Sequence, residues 1–76
     1  MASTATAQNE AAARFVDAAV DTAKEIVNEM YGRFTRKSVR ANAEANALRL
    51  VLADRLATMS PAATKLVLDE VERRAA

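Results

Sequence analysis

The chain has no cysteine and no histidine, and these two absences exclude more than any residue present suggests. Without cysteine there is no disulfide, no thiolate metal ligand and no thiol nucleophile. Without histidine the side chain most used for general acid–base catalysis is missing, and the Ser and Thr hydroxyls have no imidazole to activate them. A single glycine cannot build a glycine-rich phosphate loop. The longest apolar run is the four residues from Leu50 to Ala53, against about 20 for a membrane-spanning helix. The opening MASTATAQ has neither the basic nor the apolar region of a secretory leader, and Ala2 stands where myristoylation needs glycine. An enzyme, a cofactor, a bound metal and a membrane partner are therefore not expected. Lack of cysteine fits a cytoplasmic protein.

What is present is alanine, leucine, valine and charge, in a chain of 76 residues. That length allows one domain with a modest core, burying only about 60% of the unfolded surface. Small domains often rely on a disulfide, a metal or a partner chain. With the first two excluded, ideal helix packing or self-association remains, and a homodimer is the favoured expectation. High alanine content suggests a GC-rich bacterial or phage genome, which would make the compartment the host cytoplasm.

Periodicity predicts an all-α fold. The stretch Ala41 to Met59 is the densest apolar helical pattern. Ala41, Leu48, Leu52 and Met59 fall on one stripe, flanked by Ala45, Leu56 and Val51. A second apolar face collects Ala43, Ala47, Leu50, Ala53 and Ala57, broken by Asn46 and Asp54. A helix apolar on two sides is central in a bundle or buried at a subunit contact. Ala43, Ala47, Leu50 and Ala57 are accordingly the candidate partner or dimer contact, with packing on helix three as the plainer alternative.

Upstream, residues 1–8 read as a disordered tail and Asn9 as an N-cap. Helix one is predicted over about 10–34, where apolar residues from Phe15 to Phe34 keep a spacing of three and four. Met30 and Met59 read as core filler. Gly32 is a candidate C-cap. Thr35 and Ser38 are candidate caps for helix two, predicted over about 38–59. The bases of this turn suit the end of helix one and disfavour the start of helix two, so helix two is expected to begin near Ser38 or later. One unbroken helix over 10–59 is the competing arrangement. Ser60-Pro61 is a cap followed by a residue suited to the first helical position, opening helix three over 61–74. Asp69–Arg73 and Glu70–Arg74 are spaced as favourable ion pairs. Residues 9–76 thus make one helical domain: a long antiparallel hairpin with a shorter third helix packed across it, in a homodimeric helical bundle.

The net charge is +1, but residues 1–30 hold five acids against two bases and residues 31–60 hold six bases against two acids. Asp17, Asp21, Glu25 and Glu29 recur every fourth residue as an acidic ladder on helix one. It could dock a basic partner; the plainer reading is a solvated face. No turn of converging oxygens accompanies it, so it does not resemble a metal loop. Arg33, Arg36, Lys37 and Arg40 form a basic cluster around Phe34. They could contact phosphates; the plainer reading is complementation of a helix end. Four bases on a nearly neutral chain are a weak nucleic-acid footprint. The leading expectation is a stoichiometric regulator or inhibitor that binds a larger protein. A small nucleic-acid-binding protein and a structural assembly subunit are the alternatives.

Overall fold

The computed structural model describes residues 4–75. It contains three α-helices: α1 (Thr4–Met30), α2 (Lys37–Leu56) and α3 (Pro61–Ala75). No strand occurs among the described residues, and no helix among them is long and apolar enough to cross a membrane.

Each helix boundary has a local cause. α1 begins six residues before the expected start at Glu10, so Asn9 lies inside the helix rather than capping it. Alanine is the strongest helix former, and neither glycine nor proline interrupts the segment from Thr4 to Met30. Of the expected tail, residues 1–3 lie outside the described residues, and 4–8 are helix. α1 ends at Met30 rather than Phe34: the Tyr31 amide still bonds the Val27 carbonyl at 2.9 Å, and then the Thr35 amide closes a turn on the Gly32 carbonyl at 3.1 Å. Gly32 is not a left-handed cap, because no glycine has a positive φ.

The chain then reverses, which excludes one continuous helix. α2 starts at Lys37 with Arg36 in the N-cap position and no side-chain cap, so neither Thr35 nor Ser38 serves. Two bases therefore sit in its first turn, against the helix dipole. Arg40 offsets that placement by donating to the Gly32 carbonyl at 3.2 Å and to Asn28 Oδ1. α2 ends at Leu56, three residues before Met59: the Ala57 amide still bonds the Ala53 carbonyl at 3.2 Å, and the Met59 amide then closes a turn on the Leu56 carbonyl at 3.1 Å. At the next turn the Ala63 amide donates to Ser60 Oγ at 3.2 Å. Ser60 thus caps α3 with Pro61 in the first helical position, as the sequence predicts.

The core has two parts. In the first, Ala12, Val16 and Ala19 of α1 meet Leu52 of α2 and Val67 of α3, with Leu48, Met59 and Leu66 packed around them. In the second, Ala23 and Val27 meet Ala47, with Tyr31 and Ala43 alongside. The pairing runs antiparallel, and only α1 and α2 build the second part. α3 packs chiefly on α1. The result is elongated: the radius of gyration is 14.2 Å, whereas a compact chain of this length has about 11 Å.

Arginines tie the helices together. Arg55 on α2 donates to Thr22 Oγ1 on α1 at 3.1 Å. Arg74 on α3 pairs with Asp17 at 2.8 Å and donates to the Ala13 carbonyl at 3.1 Å. Glu70 holds Arg74 at 2.7 Å and Arg73 at 2.8 Å. Arg73 thus turns to Glu70 and not to Asp69, the partner that the spacing suggests.

Two predictions follow from these contacts. A Cβ at Gly32 would meet nothing within 4 Å, so Gly32→Ala should stabilise by about 0.4–1 kcal/mol through the unfolded chain. Urea denaturation checks this, and a loss of stability would mean the turn requires glycine. The Glu70 carboxyl is held below its ordinary range, first by its hydrogen bond to Arg74 and then by that to Arg73. A carboxylate depressed on folding contributes stability that is full above its unfolded pKa and is lost as pH falls through its folded one. Stability should therefore decline below about pH 4.3, the ordinary glutamate value, and Glu70→Gln should flatten that decline in an acid titration of the helical signal.

Candidate protein-interaction surface

α3 covers only the N-terminal half of α1. At the other end the hairpin stands as two helices, and one side of it is open. There Ile26, Val27 and Met30 of α1, Tyr31 just past its end, and Ala43, Asn46, Ala47 and Leu50 of α2 line a shallow groove of about 210 Å³. Its rim is apolar and wet: Met30 is 71% exposed and Leu50 73%. Phe34, in the adjoining turn, is 92% exposed. Burying a side chain of this size stabilises by about 1.5–3 kcal/mol, so the chain alone forgoes that gain at three positions. Exposed apolar surface such as Met30 and Leu50 form on this groove marks interaction sites.

A second groove of about 460 Å³ lies between α1 and α3, bordered by Phe15, Met59 and Leu66. Those side chains already pack on the main core and are half-buried, whereas Met30 and Leu50 are largely exposed. No polar or charged residue is buried among the described residues, and among them no group of three or more acidic side chains could hold a metal ion.

The residues expected to form one outward face of α2 are divided. Leu50 stands on the groove rim and Ala57 is exposed just past the helix end. Ala43 is half-buried, and Ala47 is buried against Ala23 and Val27. Conversely Ala41 and Ala45, expected in the core stripe, are exposed. The helices touch through their smallest residues, and this rotates α2 toward its alanine face. Met30 is likewise not core filler: it stands exposed on the open groove beside α2. Ile26, Met30 and Phe34 are surface residues that periodicity assigned to the core. For Phe34 the signal is Gly32, near which α1 ends while the apolar stripe runs on.

The acidic ladder is exposed along its whole length. Asp17 is taken by Arg74; Asp21, Glu25 and Glu29 have no ion-pair partner among the described residues. By the helical step the ladder lies opposite the Val16–Val27 line, away from the groove. In the basic cluster, Arg33, Arg36 and Lys37 are exposed, whereas Arg40 is committed within the chain. The structure therefore does not bring the four bases together as one free set.

Because α2 opens on an uncapped arginine, Arg36→Asp should supply both a cap and a favourable charge, raising stability by about 1 kcal/mol. Thermal unfolding measures it; an unchanged or lowered midpoint would mean that Arg36 holds the turn by its own contacts. No protein family model, curated protein or solved structure matches the chain, so its own residues carry the functional reading.

Proposed function

We propose that the chain is a non-enzymatic protein–protein interaction module, a stoichiometric regulator or inhibitor that binds a larger protein as a homodimer in the cytoplasm. One observation carries the reading: the open side of the α1–α2 hairpin, where Met30, Leu50 and Phe34 are left uncovered. Supporting it, the sequence has no histidine or cysteine, and the hairpin core is built largely of alanine and valine. Such a chain gains stability by adding apolar surface from another protein. A few fully buried anchor side chains dominate such a contact, and Phe34 and Leu50 are large apolar side chains left exposed for that role.

The second reading is nucleic-acid binding through Arg33, Arg36 and Lys37. Their exposure beside the uncapped N-terminus of α2 favours it. The net charge of +1 and the commitment of Arg40 count against it. A structural assembly subunit is the third class, and growth beyond a dimer without any ligand would identify it.

A low-salt capture with tagged protein separates these readings. One protein in fixed proportion supports the module, and a nuclease-sensitive absorbance at the nucleic-acid maximum supports the second reading. Leu50→Glu should weaken the protein contact at least about tenfold, the effect of about 1.4 kcal/mol. Its helical signal should persist, since Leu50 is 73% exposed. Unchanged binding would remove Leu50 from the surface.

A further inference from the structure

The outer edge of α2 carries Val39, Ala43, Asn46, Leu50 and Ala53. The steps are four, three, four and three residues, the spacing of a helix that packs along its length on another helix. Val39 and Leu50 are 42% and 73% exposed, and Asn46 and Ala53 are exposed too. Arg49 and Asp54 flank this seam on opposite sides by the helical step. Both are exposed, and neither has an ion-pair partner among the described residues.

We infer that a second copy of this chain covers the seam, with the two α2 helices parallel and in register about a twofold axis. The inference rests on the interaction-module reading of this surface and deepens it by naming what covers α2. Charge sets the direction. In a parallel pair a flanking residue meets the residue five positions further along on the partner's opposite flank. Arg49 then meets the partner's Asp54, and Asp54 meets the partner's Arg49. In an antiparallel pair like flanks meet, so Arg49 faces the flank that carries the partner's Asn42 and neither Arg49 nor Asp54 reaches the other across the seam.

Asn46 sets the register. An amide buried against apolar side chains is costly unless it is hydrogen-bonded. In the parallel in-register pair, Asn46 faces the partner's Asn46 and each amide finds a partner. Leu50 then meets the partner's Leu50 beside Ile26 and Met30. This arrangement puts both 31–36 turns, and both Phe34 side chains, at one end of the dimer. A larger protein could then be gripped twice, which strengthens binding without a new contact. Antiparallel pairing would separate the turns by about 30 Å, the length of α2.

The absence of cysteine makes the test direct. Val39→Cys and Ala53→Cys mark points on the seam about 21 Å apart. Each full-length variant is oxidised alone and then mixed with the other, and disulfide-linked dimers are read by intact mass. The inference predicts efficient self-linking by both variants and no preferred mixed product. Arg49→Asp should weaken the dimer about tenfold by setting like charges opposite, and adding Asp54→Arg should restore it. A dominant mixed product would overturn the parallel arrangement, and a dimer with no cross-link would overturn the seam. A monomer in sedimentation would overturn self-association too, while fixed-proportion capture of a larger protein would still stand.

Discussion

The contact on which the rest depends is the close approach of α1 and α2 through small side chains. Ala12, Ala19 and Ala23 on α1 and Ala47 on α2 are buried at or near the crossing. Alanine loses no side-chain entropy on burial and lets two backbones come together, but it removes little apolar surface from water. The larger fully buried side chains are Val16 and Val27. The hairpin is thus closely packed and thinly driven, and it turns part of its larger apolar residues outward. The exposed groove borders that contact: Leu50 shares the face of α2 that carries Ala47 but lies one step nearer solvent, on the rim.

The placement of α3 sharpens the asymmetry. Ser60 and Pro61 start it at the end of the hairpin where α1 begins, and Arg74 fastens its far end to Asp17 and Ala13. One half of α1 is therefore covered by two helices and the other half by one. The polar ties divide likewise: Glu70, Arg73, Arg74 and Asp17 secure α3, while Arg40 secures the turn between α1 and α2. Neither group leaves an unpaired buried polar atom among the described residues. The surface features left without a use inside the chain are the groove with Phe34, the three free acids of the ladder and the bases Arg33, Arg36 and Lys37.

Much of this was legible in the sequence. Three helices, the antiparallel hairpin and the Ser60-Pro61 boundary follow from periodicity and capping chemistry. The α1 stripe through Val16, Ala19, Ala23 and Val27 is the buried line. The second apolar face of α2 was visible as well, but not which of its two faces would turn inward. Hydrophobic size favoured Leu48 and Leu52, whereas the close crossing favoured Ala47 and rotated the helix between them. Met30 and Phe34 show the limit of periodicity, which says which way a residue points on a helix but not whether a partner helix reaches it. Arg74 joins residues far apart in sequence, and no local spacing signals such a contact.

The central claim is that the open side of the α1–α2 hairpin is completed by another protein surface, beginning with a second copy. Amide hydrogen exchange of the full chain, in dilute and in concentrated solution, tests it most directly. The account predicts that residues 39–53 and the end of α1 around Ile26 and Met30 exchange more slowly as concentration rises. Residues 66–71, which pack on α1 within the chain, should keep their rate. Exchange across α2 that is independent of concentration would contradict the account and show that the hairpin needs no covering by its own kind.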